Sequence, residues 1–199
     1  MEYDFDHPPT TPFEWCREWF AQATEIDLPN PLAMALSTVD SQGRPSSRIV
    51  LLKDFDERGA VFFTNSNSQK GKEIAGNQAV ALLFHWDQQG RQIRITGHAE
   101  RISDEESDAY FQTRPRGSQI SAWASNQSQP AESRKALKDA WKAAEDKFSE
   151  KPVSRPPYWF GYRVSLDRIE FWQGQDYRYH DRVCFEQHDQ VWSVQRLYP

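Results

Sequence analysis

Cysteine is scarce in this 199-residue sequence: Cys16 and Cys184 are the only two, and they have no metal-ligand spacing. That excludes a disulfide framework and a thiolate zinc site, and it fits a reducing cytoplasm. Both thiols are expected as buried packing. No apolar run approaches the roughly 20 residues of a membrane-spanning helix, and Met1-Glu2-Tyr3-Asp4 is the wrong start for a signal peptide. Positive charge is also short, with 24 Lys and Arg against 29 Asp and Glu, a net charge of −5. A generic nucleic-acid binder would be basic, so that class is excluded, and any bound anion must be met by local clusters of cations. The 9 glycines form no Gly-rich phosphate loop, and the alternating βαβ pattern of a dinucleotide-binding sheet is missing. A nucleotide would have to be held by side chains.

Aromatics, by contrast, are abundant at 14%, with 8 Trp and 12 Phe. Such a chain orders around a packed core, and its length suits a single domain over 1–199, with residues 1–11 as a flexible extension. Thr11-Pro12-Phe13-Glu14 reads as a capping box opening a helix that runs to about Ile26, striped by Trp15, Cys16, Trp19, Phe20 and Ala23. Strand patterns follow at Ala33–Val39, Ser46–Leu52 and Ala60–Thr64, separated by DSQGR and DFDERG turns, then a short helix at Gln69–Ala75. Two longer strands cover Ala79–Trp86 and Gln92–Ile102. A second capping box, Ser103–Glu106, starts a helix carrying Tyr110 and Phe111; further helices cover Ser118–Ala124 and Pro130–Phe148. Closing strands are expected at Tyr158–Leu166, Ile169–Trp172, Arg178–Cys184 and Val191–Leu197. Meandering strands with helices inserted between them describe a mainly β protein, an antiparallel barrel with helical additions.

Three basic segments stand out: RIVLLK at 48–53, SQKGK at 68–72 and TRPRGS at 113–118. Each sets Arg or Lys beside hydroxyl or amide groups at the end of a strand or helix, the donor chemistry a phosphate requires. Each is also compatible with ordinary surface charge. Strict alternation sends Arg48 and Lys53 to opposite faces, so a shared ligand needs a bulge, a strand end or a second subunit. In EFWQGQDYRYHDR (170–182), Arg178, His180 and Arg182 are each two residues apart, which on a strand puts all three on one face. A solvated face would look the same.

RIVLLK, FFTNSNSQKGKEI, GRQIRITGHAERIS, YFQTRPRGSQISAWASNQS, IEFWQGQDYRYHDR and the terminal RLYP occur in the order and spacing of pyridoxamine 5′-phosphate oxidase. From about Phe13 to Pro199 the chain resembles that family. The resemblance implies a homodimeric FMN-binding split β-barrel of Greek-key type. It also implies oxidation of pyridoxine or pyridoxamine 5′-phosphate to pyridoxal 5′-phosphate, with hydride transfer from C4′ to flavin N5 and reoxidation by O2 giving hydrogen peroxide. Carried over by position, Arg48, Ile49, Val50, Leu51, Leu52 and Lys53 line the FMN site, and Lys53 also reaches the substrate phosphate. Phe63 and Thr64 sit against the cofactor, with Gln69 and Lys70 near its phosphate. Gln92, Gln127, Ser128, Trp172 and Arg182 match FMN contacts that complete the site from the neighbouring subunit. Tyr110, Arg114 and Ser118 match a clamp on the substrate phosphate. Arg178 and His180 match the catalytic residues over the pyridine ring, and histidine as a residue type suits proton handling near neutral pH. No metal, membrane or nucleic acid is implied.

Two departures accompany the likeness. Where the family usually has Arg-Lys this chain has Gln69-Lys70, a lost charge that Lys72 is positioned in sequence to offset. The family's N-terminal arm, whose Arg and Tyr cover the substrate, has no clear counterpart in MEYDFDHPPTT; Tyr3 is the candidate substitute. Two other functions fit the same scaffold: an FMN-dependent oxidase of phenazine biosynthesis, whose substrates carry no phosphate, and a non-catalytic binder of flavin or pyridoxal phosphate. The binder would have no need of the Arg178/His180 pair.

Overall fold

The first helix, α1 (Phe13–Thr24), forms where large apolar residues recur every three or four positions, and it buries Trp15, Cys16, Trp19, Phe20 and Ala23. In the computed structural model, which describes residues 3–199, the capping box expected at its start does not form. Pro12 already has helical dihedrals and is itself the N-cap, with no side-chain bond; the Cys16 N–H closes directly on the Pro12 carbonyl at 3.0 Å. Thr11 therefore stands one residue too far out to cap.

The strands are β1 (Ala33–Val39), β2 (Pro45–Leu51), β3 (Asp54–Asp56), β4 (Gly59–Asn65), β5 (Ala79–Trp86), β6 (Arg91–Arg101), β7 (Trp159–Val164), β8 (Arg168–Gln173), β9 (Asp181–His188) and β10 (Val191–Arg196). The remaining helices are α2 (Gln69–Gly76), α3 (Asp104–Thr113), α4 (Arg116–Ala124) and α5 (Arg134–Lys147). Every pairing is antiparallel; the order is β10-β9-β8-β6-β5-β1-β2, and a branch leaves it at β6 through β7, β4 and β3. Strand β6 belongs to both halves: Arg91–Thr96 pair with β8, and Ala99–Arg101 pair with β7. The switch falls at Gly97, where an added Cβ would lie 1.8 Å from the Ser165 carbonyl oxygen, so only glycine lets the backbones cross this closely. Between β2 and β4 the ring is bridged by the Lys53 N–H donating to the Val61 carbonyl at 2.8 Å. The result is a split antiparallel barrel, as expected.

The main core fills this barrel and the underside of α1, with Trp19, Met34, Leu36, Phe62, Phe84, Ile93, Ile95 and Phe171 almost fully buried. A smaller cluster of Phe111, Ile120, Phe148, Val153 and Trp159 seats α3, α4 and α5 on the outside of β4 and β7. Helix α3 has its capping box intact: the Glu106 N–H donates to Ser103 Oγ at 3.1 Å, and the Ser103 N–H donates to Glu106 Oε2 at 3.3 Å.

Several expectations need correcting. The DFDERG segment contains the short strand β3, paired with β4, rather than a turn alone. Arg178 lies on no strand; it ends a 3-10 turn over Asp176–Arg178, and β9 begins only at Asp181. Residues 3–6 lie against the fold: Phe5 is buried, and the Tyr3 ring packs edge-on against Trp15 and Trp19 at 5.5 Å. No helix among the described residues is long and apolar enough to cross a membrane.

Candidate active site

Where β2, β4, α2, α3 and α4 meet, they enclose a cavity of about 480 Å³. Its walls bring together Ile49, Val50, Leu51 and Lys53 with Phe63, Thr64, Lys70, Tyr110, Arg114, Ser118 and Gln127. Lys53 reaches it from just past the end of β2, whereas Arg48 does not line it. Thr113 and Pro115 of the TRPRGS segment also line it, as does Trp159, which no sequence signal marked. Phe63 stacks on Tyr110 at 4.0 Å and on Trp159 at 5.0 Å. Gly161 makes room for that stack, since a Cβ there would meet the Phe63 ring at 2.7 Å. Aromatic rings and cationic groups thus line the same cavity.

Lys70, in the first turn of α2, is buried, and its ammonium donates only to neutral oxygens: Thr64 Oγ1 (3.2 Å), Ser68 Oγ (3.4 Å) and Gln127 Oε1 (2.9 Å). Burial, and then the nearby Arg48 charge, hold its pKa below the ordinary lysine value of 10.5. Arg114 lies with its guanidinium 4.7 Å from the Trp159 ring centre, and burial lowers its pKa as well. Its Nη1 is buried without a hydrogen-bond partner among the described residues. Buried polar atoms are normally satisfied, so a cation with no acceptor in a cavity wall suits an anionic oxygen supplied by a ligand. The neighbouring Arg116 turns away, bonding the Phe148 and Lys151 carbonyls at the end of α5. One arginine of the TRPRGS segment serves the cavity and the other anchors a helix.

Five other expected residues form a second group, on the outer face of the sheet and the turn before β9. Gln92 stands opposite Trp172, and Trp172 opposite Arg182, so three residues from β6, β8 and β9 form one cross-strand row. The His180 ring lies 4.5 Å from that of Trp172. The Gln175 N–H donates to His180 Nδ1 at 3.1 Å, leaving Nε2 to carry the proton of the neutral ring. Arg182 is held by Glu170, which is fully buried and accepts from it at 2.7 and 2.9 Å. Arg178 is exposed, and it and Tyr177 both have left-handed backbones, φ 62° and 57°. Two such non-glycine residues in succession cost on the order of 1–3 kcal/mol each, a kind of strain that clusters at functional sites. None of this group lines the cavity of its own chain.

Further expectations are revised by this geometry. Gln127, matched to contacts made from a neighbouring subunit, bonds Lys70 and Thr64 of its own chain. Ser128, with φ 69°, follows it in a left-handed turn outside the cavity lining. Arg48 does not line the cavity; its guanidinium is turned to Glu73, Ser46 and Thr38. Leu52 is buried in the core. Gln69 donates to Glu73 at 2.9 Å, and Lys72 is exposed on the far side of α2, so it does not replace the missing charge. Tyr3 is bound to Gln22 and lies over Arg91, away from the cavity.

Known proteins resemble this chain along most of its length. Residues 21–148 match the family model described as pyridoxamine 5′-phosphate oxidase, and residues 159–199 match the pyridoxine 5′-phosphate oxidase C-terminal dimerisation region. A Rubrobacter xylanophilus protein named pyridoxine/pyridoxamine 5′-phosphate oxidase is 54% identical over 91% of this chain and 83% of its own. A Myxococcus xanthus protein of the same name is 48% identical over 96% of this chain and 93% of its own. Among solved structures, PhzG from Burkholderia lata, in complex with tetrahydrophenazine-1-carboxylic acid, superposes with TM-score 0.93 at 31% identity, covering 100% of this chain and 98% of that one. An FMN-binding protein from Nostoc punctiforme, related to pyridoxamine 5′-phosphate oxidase, shares the fold with TM-score 0.77 at 16% identity, over 96% of this chain and 100% of that one. With the row on β6, β8 and β9 falling largely in the region matched to dimerisation, and the phosphate-suited cavity in the region matched to the oxidase, this chain belongs to the pyridoxamine 5′-phosphate oxidase family.

Proposed function

We propose that the protein is a homodimeric, FMN-dependent oxidase that converts pyridoxine 5′-phosphate or pyridoxamine 5′-phosphate to pyridoxal 5′-phosphate. The observation that carries the substrate class is Arg114, a buried cation whose Nη1 lacks a partner, beside Lys53, Tyr110 and Ser118 in one cavity. A phosphate monoester carries about −1.5 to −2 charges and three acceptor oxygens, which suits such a convergence of donors. FMN is assigned to the Lys70 side, where the buried ammonium faces only neutral oxygens. When bound, FMN would supply the redox chemistry, taking a hydride from the substrate's C4′ carbon at N5 and passing the electrons to O2 as hydrogen peroxide.

The protein's part is orientation. Gripping the phosphate far from the reacting carbon turns remote binding energy into positioning of the ring. Gln92, Trp172 and Arg182, together with Arg178 and His180, act on the cavity of a second copy, since they do not line their own. Trp172 offers a flat wall and Arg182 a charge toward the flavin. Arg178 and His180 face the pyridine ring, where His180 Nε2 can hold or pass a proton. The amine substrate leaves as an imine that water hydrolyses to the aldehyde and ammonia.

The high structural likeness to PhzG keeps one rival in view, an FMN oxidase acting on a phosphate-free polycyclic substrate. Aerobic assays of FMN-loaded protein with each B6 phosphate should yield pyridoxal 5′-phosphate and hydrogen peroxide together. Oxidation of a tetrahydrophenazine carboxylate without turnover of either phosphate would hand the function to the rival. Flavin retention with no turnover of any of them would identify a binder.

A further inference from the structure

We propose that Glu73, which stands outside the lining of the candidate cavity, is a positioning residue for the phosphate end of the cofactor site: it fixes the Arg48 guanidinium beside Lys70 and so sets the preference for phosphorylated flavin. The inference rests on the reading that FMN binds at Lys70.

Glu73 is a charged side chain on the inner face of α2, only 8% exposed. It ties that helix to a cross-strand pair, because Thr38 on β1 and Ser46 on β2 stand directly opposite each other. Thr38 Oγ1 donates to Glu73 Oε2 at 2.5 Å; Ser46 Oγ lies 2.8 Å from Oε2 and 3.0 Å from Oε1; Gln69 Nε2 donates to Oε1 at 2.9 Å. Arg48 Nη2 completes the set at 3.2 Å. Burial works to raise the pKa of this carboxyl, but the hydrogen bonds from Thr38, Gln69 and Ser46 and the Arg48 charge outweigh it and hold the group below the ordinary range, ionised.

The same network immobilises Arg48. Its Nη1 donates to the Leu36 carbonyl (3.2 Å) and Thr38 Oγ1 (2.5 Å), and its Nη2 to Ser46 Oγ (2.5 Å) and Glu73. Four donors of the planar fork are thereby locked, leaving the guanidinium as a charge of fixed position. Lys70 stands three residues before Glu73 on the buried face of α2, so the Arg48 charge held on Glu73 at 3.2 Å lies near its ammonium, which it disfavours. Two cations held close together before any ligand arrives repel each other, and Glu73 is the counter-charge that keeps Arg48 in place against that repulsion. Gln69 contributes by being neutral. With its amide on Oε1 it satisfies the carboxylate without competing for its charge, which an arginine at 69 would do.

FMN and riboflavin differ only in the phosphate, so the ratio of their dissociation constants isolates this role. Fluorescence titration of the apoprotein with each flavin, for wild type and Glu73→Gln, gives the ratio directly. The variant should weaken FMN roughly tenfold or more, the scale of one charge-assisted contact, while riboflavin stays within about twofold. A parallel loss for both flavins would mean that Glu73 merely supports the fold. An unchanged or increased preference for FMN would also overturn the proposal, the second because it makes Glu73 a screen on the phosphate site.

Two further variants guard the result. In an Arg48→Met background, Glu73→Gln should change FMN affinity little further; a full-sized additional loss would show that Glu73 does not act through Arg48. Ser46→Ala, which removes only the hydroxyl between the two, should give a smaller loss confined to FMN even if Glu73→Gln fails to fold, and no such loss would contradict the proposal. A wild-type protein that does not distinguish FMN from riboflavin would instead defeat the placement of FMN at Lys70.

Discussion

Trp172 and Arg182 face each other across β8 and β9, and the row they form with Gln92 stands outside the cavity that holds Lys70 and Arg114. In a two-fold dimer each cavity would then be closed by the row of the other copy. Two inactive variants should complement. Mixing Arg114→Ala with His180→Ala subunits, after exchange, should restore up to about a quarter of wild-type turnover, since half the dimers are mixed and each has one intact site. If activity stays at the level of the separate variants, both groups act within one chain.

Arg114 is the cation most exposed to loss of its ligand. Replacing it by Ala should cost kcat/KM on the order of 10²-fold, mostly through KM for the phosphorylated substrate, because one or two charge-assisted bonds disappear. The visible spectrum of bound FMN should not change. Steady-state kinetics beside a flavin spectrum checks both halves of this expectation.

Lys70 carries a pH dependence. Burial and Arg48 depress its pKa, so the free site loses the ammonium proton at a lower pH than an ordinary lysine at 10.5. A bound phosphate favours the charged form, and binding therefore takes up a proton above the lowered pKa. FMN affinity should fall as pH rises through that region, and Lys70→Met should bind weakly with the pH slope removed. Riboflavin, lacking the phosphate, should show far less of it. Affinities measured across the alkaline range decide the matter.

Stability rests on a different set of contacts. Phe171 is fully buried, with its ring edge-on to Trp15 and Trp19 at 5.3 and 5.2 Å and to Phe185 at 5.8 Å. Phe171→Ala should cost about 3–5 kcal/mol in denaturant unfolding, through lost transfer energy and the cavity left behind. A loss below about 1 kcal/mol would mean the cluster is not cooperative with the barrel.

Much of this architecture was legible in the sequence where local chemistry dominates. The alternation of AMALSTV and AVALLFHW marks β1 and β5 at their observed bounds, and SDEE marks the start of α3. Local signals failed where tertiary context overrides them. Pro12 is already helical, so Thr11 caps nothing, and the two-residue spacing of Arg178, His180 and Arg182 suggests a strand face that a left-handed turn removes. Gln92 and Trp172 are eighty positions apart, and only the β6–β8 register places them side by side. The Glu73 network was invisible for the same reason: Thr38, Ser46 and Glu73 meet only once α2 packs beneath β1 and β2.

The most direct test of the proposed chemistry is an anaerobic titration of the FMN-loaded protein, first with pyridoxine 5′-phosphate and then with pyridoxamine 5′-phosphate, followed by the flavin's visible absorption. The expected result is bleaching that reverses when air is admitted, with pyridoxal 5′-phosphate formed. A flavin spectrum unchanged by both phosphates would contradict it.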